Sequence, residues 1–366
     1  MSKIKVDIPF LISIIILVVG GFLIFSSASL GLLSKHGIKY ANVAFSQTIY
    51  GLFLGSIACF IASQIHYSFY RKYAFYIFLS GVFVTLLVFI PGIGVEHGGA
   101  KRWLYLGFTS FQPSELLKIS FIIYLSAWIS NIKNKINTFS YGFFPLAIMF
   151  SVVGLILLAQ PDTDTFAVMC AAGLSIFIIA GGKWKHTLLF IIIGVLSLAV
   201  IAMARPYVMA RIQTFINPES NTQSSGYQIQ QSLIAIGSGG LAGRGFGQSI
   251  QKFNFLPEPI GDSIFAVASE EFGFIGSTSI ILLFVLFTLR GLKIAKNAPD
   301  TFSRLMVVGI VIMIISQAFI NISSMVGIFP LSGIPLPFVS QGGTALFFAL
   351  AEVGIILNIS KFTKKR

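Results

Sequence analysis

Asp262 follows Pro257-Glu258-Pro259-Ile260-Gly261 and directly precedes a long apolar run. A carboxylate placed at a membrane–water boundary can take the proton of a hydroxyl group, which is the work of a general base. The same residue also suits a plain N-cap of the helix that follows. Glu270 and Glu271 come eight and nine residues later, inside the apolar run. Acids at membrane depth must face protein or a cavity.

Three further groups carry charge at defined spacing. Gln112-Pro113-Ser114-Glu115 opens a helix, and Lys118 follows Glu115 by three residues. That spacing puts both charges on one helix face, either as a buried structural pair or as the wall of a polar cavity for a charged substrate. Lys101-Arg102-Trp103 joins two cations to an aromatic ring, as an interfacial anchor does. Gln160-Pro161-Asp162-Thr163-Asp164 puts two acids on one short turn, which suits helix capping or a bound cation.

The stretch 205–261 adds Arg205, Arg211, Arg244 and a run of glycines. Within it, Gly237-Ser238-Gly239-Gly240-Leu241-Ala242 fits a dinucleotide-binding spacing, with Glu258 about 20 residues on. No βαβ unit fits between two apolar spans, and the further glycines at 243, 245 and 247 break the helix that such a site needs. Glycines that let backbone approach a ligand or lipid headgroup are the better reading. Three prolines and four glycines in 321–344 indicate a broken or re-entrant loop, which membrane depth tolerates only against protein or a cavity.

The elements that must position these residues follow from composition. Of 366 residues, 55% are hydrophobic and 10% are charged, and the mean hydropathy is +0.89. Soluble domains carry about 25% charged residues. Cys59 and Cys170 both lie in apolar runs and read as buried small hydrophobes rather than a disulfide or metal pair. The fold class is therefore all-α, a polytopic membrane protein forming one domain over residues 1–366.

Ten spans are predicted: 8–30, 43–65, 72–90, 114–130, 142–159, 164–181, 187–204, 262–289, 305–326 and 342–360. The net charge is +13, but the basic residues sit singly or in pairs at span ends, so no nucleic-acid partner is expected. With both termini in the cytoplasm, Lys35, Lys39, Lys101, Arg102, Arg205, Arg211, Arg244 and Lys252 fall outside and Lys118 lies within a span. All the other basic residues fall inside, twice as many as fall outside, and that excess favours this orientation. The long polar stretch 205–261, between spans 7 and 8, is then external.

The ordered motifs resemble the SEDS family (shape, elongation, division and sporulation), which includes FtsW, RodA and SpoVE. They are His97-Gly98-Gly99-Ala100-Lys101-Arg102-Trp103, Gln112-Pro113-Ser114-Glu115 with Lys118, and Gln160-Pro161-Asp162. They continue with Gly237 through Gly247, Leu256-Pro257-Glu258, and Asp262 with Ile264-Phe265-Ala266. Gly333-Ile334-Pro335-Leu336-Pro337-Phe338, Ser340 and Gly342-Gly343 close the series. Pro91 to Glu96 and Ser26 to Ser29 are more similar to FtsW than to RodA. Three positions depart from the family pattern: Gly261 for Thr, Asp164 for Gly, and Gln341 for an aromatic.

The resemblance implies a peptidoglycan glycosyltransferase that polymerises lipid II on the outer face of the plasma membrane, in division or elongation. It implies Asp262 as the catalytic acid and Glu115–Lys118 as its ion pair. Lys101, Arg102, Arg205, Arg211, Arg244 and Ser340 are the expected substrate-cavity residues with that pair. A divalent metal, Mg or Mn, would be a cofactor for the pyrophosphate. A class B penicillin-binding protein transpeptidase and other divisome or elongasome membrane proteins would be the partners. Two rival readings use the same residues: a lipid II flippase, and a non-catalytic scaffold for the transpeptidase.

Overall fold

Lipid offers the backbone no hydrogen bonds, so apolar runs of membrane length fold as helices. The computed structural model describes residues 6–33, 37–97, 100–105, 110–132, 135–217 and 225–363. Gly98 and Gly99 of the first motif, the basic residues Lys3, Lys5, Lys35, Lys133, Lys364, Lys365 and Arg366, and Glu219 lie outside the described residues.

The chain begins with α1 (Ile8–Leu33) and α2 (Gly37–Phe45), which runs through a π-helical stretch (Ser46–Leu54) into α3 (Gly55–Gln64). The short α4 (Tyr67–Lys72) leads into α5 (Ala74–Leu86). After a small sheet come α6 (Pro113–Asn131), α7 (Phe144–Ala159), α8 (Thr163–Ile179) and α9 (Trp184–Ala204). Next are α10 (Pro206–Ile216), α11 (Ser225–Ser238), α12 (Ile264–Lys296), α13 (Thr301–Met325) and α14 (Gly343–Ser360).

Every predicted span has a helix at its place, but their lengths differ from the expectation of ten. Among the described residues, seven helices are long and apolar enough to cross a membrane. Ala74–Phe89 and Thr163–Ile179 are apolar but shorter. The third exception is α6, which spans 19 residues and carries Pro113, Ser114, Glu115 and Lys118 near its start.

Two expectations need correction. The fold is mostly helical rather than all-α: β1 (Gly94–His97), β2 (Ala100–Tyr105) and β3 (Ser110–Phe111) form an antiparallel three-stranded sheet before α6. Such a short, bulged ladder gives no clean alternation to read. The polar stretch 205–261 is also not one loop, because α10 and α11 fold within it.

The core centres on α13, which packs against α12, α8 and α6. Leu305, Met306, Val307 and Ile310 have no exposed surface. By contrast, α9 exposes Ile191, Val195, Leu196, Val200 and Met203, as a lipid-facing helix does. Helices α3 and α14 approach closely: a Cβ on Gly354 would lie 2.3 Å from the Cys59 carbonyl oxygen. Gly21 of α1 likewise lets that helix meet the Phe338 carbonyl, where a Cβ would sit 2.3 Å away. Phe338 itself has φ +65°, a left-handed conformation that costs a non-glycine residue about 1–3 kcal/mol.

Helix α12 is broken at Gly273, with φ 63° and ψ −163°. The glycine run docks its backbone into the break. Arg244 N–H donates to Glu270 O at 3.0 Å and Gly245 N–H to Glu271 O at 2.9 Å. In return, Phe274 N–H donates to Gly240 O at 2.9 Å and Ile275 N–H to Leu241 O at 3.2 Å. A Cβ on Gly273 would lie 2.3 Å from Gly243 N, so only glycine allows this approach. Gly239, Gly243 and Gly273 therefore serve the approach of the protein's own backbone, while Gly237, Gly240 and Gly247 border open space.

Candidate active site

Asp262 lies in the turn before α12, and Ser263 occupies the cap position without a side-chain cap bond. The N-cap reading of Asp262 therefore falls. Three consecutive carbonyls at this turn are each taken by a different donor. Gln341 N–H donates to Ile260 O at 2.7 Å, the Ser340 hydroxyl to Gly261 O at 2.6 Å, and Asn321 Nδ2 to Asp262 O at 2.8 Å. From α11, Gln228 Nε2 donates to Asp262 Oδ1 at 3.3 Å and to Ser263 Oγ at 2.9 Å. Burial pushes the Asp262 carboxyl up to about 7, and the neighbouring Glu258 carboxylate adds to the rise. A base is most useful when its pKa lies near the working pH.

Two adjoining clefts lie between α6, α8, α13, α14 and the segment 333–340. Their empty volumes, open solvent included, are about 410 Å³ and 330 Å³. Both are lined by Glu115, Lys118, Gln317 and Pro335. Pro113 and Glu115 start α6, where an acid favours the helix dipole. Lys118 Nζ meets Glu115 Oε2 at 2.9 Å and donates to Gln317 Oε1 at 3.1 Å. Both members of this ion pair are buried. Buried Glu352 of α14 also lines the larger cleft.

The smaller cleft adds Arg102 and Asp162. Arg102 Nη1 lies 3.7 Å from Asp162 Oδ1 and the guanidinium also donates to the carbonyls of Gln160 and Pro161. Asp162 caps α8 by accepting from Thr165 N–H, while its Oδ2 is buried without a hydrogen-bond partner. Burial raises its pKa, against the opposing pull of Arg102. Arg211 of α10 pairs with Asp164 at 2.8 Å, and Gly333 N–H donates to the same Asp164 oxygen at 3.2 Å.

The clefts thus gather Arg102, Glu115, Lys118 and Ser340, with Arg211 nearby through Asp164. They do not gather the other expected residues. Lys101 is exposed on β2, and Arg205 is exposed where α9 meets α10. Arg244 pairs with Glu270 at 3.3 Å, away from both clefts. The Ser340 hydroxyl is engaged between Gly261 O and the Leu336 N–H. Asp262 lines neither cleft and is joined to them through Asn321, whose Nδ2 also donates to Ile334 O at 2.8 Å.

Gln317 and Asn321 are buried carboxamides at this site that motif reading overlooks. Their signal is two carboxamides one helical turn apart in an apolar run, which places them on one face. For a metal, the donor set does not fit a cage built by the protein. No group of three or more His, Cys, Asp or Glu is gathered among the described residues. Glu115, Asp162 and Asp164 are already matched to cations.

The model of the cell cycle protein family of FtsW, RodA and SpoVE matches residues 8–365. The chain belongs to this family. Stage V sporulation protein E of Bacillus subtilis strain 168 is 40% identical over 312 residues, covering 85% of each chain. A probable peptidoglycan glycosyltransferase FtsW of Geobacter sp. strain M18 is 37% identical over 314 residues, covering 86% of this chain and 85% of that one. A chain of a peptidoglycan synthase complex has the same fold, with a TM-score of 0.79, 22% identity and 99% coverage of both chains. The rod shape determining protein RodA of Thermus thermophilus gives 0.73 and 23%, again with 99% coverage of both. Family membership and the apolar helices make this a multi-pass protein of the bacterial plasma membrane.

Proposed function

We propose that the chain is an inverting peptidoglycan glycosyltransferase that polymerises lipid II on the outer face of the membrane. The observation that carries this reading is Asp262, a partly buried carboxyl with a pKa near 7, fixed by Gln228 and Asn321 beside two charged clefts. The names of relatives such as the Geobacter FtsW agree with it. Asp262 accepts the proton of an acceptor sugar hydroxyl as that oxygen attacks the anomeric carbon of the donor. The bond from that carbon to the pyrophosphate breaks, and undecaprenyl pyrophosphate departs. Arg102 and Lys118 stabilise its developing charge.

The orientation that goes with this reading has ten spans and both termini in the cytoplasm, so that Asp262 and 205–261 are external. A class B penicillin-binding protein is the partner that crosslinks the product, alongside other divisome or elongasome membrane proteins. A divalent cation, Mg or Mn, would arrive on the pyrophosphate with at most one or two protein carboxylates, as Mg²⁺ commonly binds.

The test is polymerisation of labelled lipid II by the purified protein, with and without the transpeptidase, read as a glycan ladder on a gel. A ladder that disappears in Asp262→Asn is the expected result. No polymer under either condition, from folded protein, would refute the enzyme reading.

A further inference from the structure

We propose that Gln317 and Asn321 are positioning residues that hold Asp262 in register with the Glu115–Lys118 pair. The inference rests on the glycosyltransferase reading, and it adds roles for two residues to which the motifs assign none. Both side chains project from one face of α13, and they are 6% and 0% exposed. Each carboxamide is shared between two partners. Gln317 accepts from Lys118 Nζ at 3.1 Å and donates to Pro335 O at 3.2 Å. One turn later, Asn321 donates to Ile334 O and to Asp262 O, both at 2.8 Å.

Pro335 and Ile334 are adjacent in sequence. The connection therefore runs without a gap from Lys118 through Gln317 to residues 334–335, and through Asn321 to Asp262. Burial makes each of these bonds costly to lose, because a stranded buried polar group keeps its full desolvation penalty. A flexible loop would not hold the position of Asp262 by itself. Here α13, whose neighbours bury it on several sides, supplies the rigid element. Ser340 and Gln341 hold the two preceding carbonyls from the far end of the same loop. The ion pair and the proposed base line no common cleft, and this connection is the hydrogen-bonded link between them.

Removing a positioning group leaves substrate binding largely intact and moves the reacting atoms. A displacement of about 1 Å can cost about 10²-fold in rate. Two variants separate the links. Asn321→Leu is close in size and lacks both donors. Gln317→Glu keeps an acceptor for Lys118 but loses the donor to Pro335 O. Each is measured for kcat and KM with lipid II, and for hydrogen exchange of segments 258–264 and 330–337 by mass spectrometry.

The expected result is a kcat reduced about 10²-fold, with KM within about twofold and faster exchange in both segments. A correct fold is shown by exchange elsewhere that matches the parent. Unchanged exchange in both segments would overturn the proposal, whatever the activity. Should KM rise while kcat holds, the carboxamides bind substrate instead, and the proposal also falls. If the parent protein makes no polymer, the enzyme reading fails by itself, and the exchange data still decide whether Asn321 and Gln317 hold Asp262 in place.

Discussion

Lys252 and Glu271 meet at 2.7 Å with no exposed surface on either side chain. The Lys252 ammonium also donates to the Ser27 hydroxyl and the Gly247 carbonyl. This pins the loop after the glycine run to α1 and α12 at once. Removing one charge strands the other, at a cost of about 3–5 kcal/mol. Lys252→Met should therefore lower the thermal midpoint sharply in detergent, and adding Glu271→Gln should recover much of the loss. Equal destabilisation of single and double variants would mean that the charges contribute little.

The Glu115–Lys118 pair separates folding from function. Lys118→Ala leaves Glu115 uncompensated and Gln317 Oε1 without its donor. It should cost about 3–5 kcal/mol. Glu115→Gln combined with Lys118→Met should regain part of that stability, measured by thermal unfolding, while lipid II polymerisation stays low. A fully active double variant would make the pair purely structural.

Asp262 predicts two opposite pH dependences. A base acts only when deprotonated, so polymerisation should climb with pH through a midpoint near 7. Stability runs the other way. With the folded pKa above the unfolded one, the protein holds its proton more tightly than the unfolded chain does. That stabilisation is complete below about 3.8 and is gone once pH passes about 7. Asp262→Asn should therefore gain thermal stability over the parent between pH 4 and pH 8, with the gap levelling off above 7. A constant gap would show that the carboxyl is not perturbed. In activity, the same variant should lose about 10²–10⁴-fold with lipid II binding retained.

The orientation is tested by labelling. Gln248 and Lys185 are exposed at opposite sides of the proposed topology. Cysteines at these positions should react with an impermeant reagent from outside and only after lysis, respectively. Reaction of both from outside would overturn the ten-span arrangement.

Much of this architecture is legible in the sequence because burial in lipid demands long apolar runs. All ten predicted runs contain helix, and of the predicted broken loop 321–344 the middle part, 326–342, lacks helix and strand. Glu270 and Glu271 were required to face protein, and they do. What escapes is information carried by tertiary contact. Lys252 reads as one more loop cation, yet its side chain is fully buried, because Ser27 of α1 and Glu271 of α12 meet it only in the folded protein. The break at Gly273 has no local signal, since it is satisfied by backbone 30 residues earlier. Gln317 and Asn321 hide in an apolar run because only their neighbours give them a role. Motif spacing singled out Asp262, Glu115 and Lys118, but it could not reveal that Asp262 shares no cleft with the other two.

The break in α12 also bears on how the protein is made. A continuous α12 would form hydrogen bonds from Phe274 N–H to Glu270 O and from Ile275 N–H to Glu271 O. In the finished protein, those four groups instead bond to residues 240–245. The glycine run precedes α12 in the chain, so it is synthesised first and lacks these partners until α12 follows. A newly inserted helix can enter lipid with its own bonds intact and exchange them for the loop's afterwards. Maturation would then end in a swap of main-chain partners, two bonds surrendered for four. A biogenesis intermediate with α12 unbroken and residues 239–247 accessible to protease is the species that such a route would leave behind.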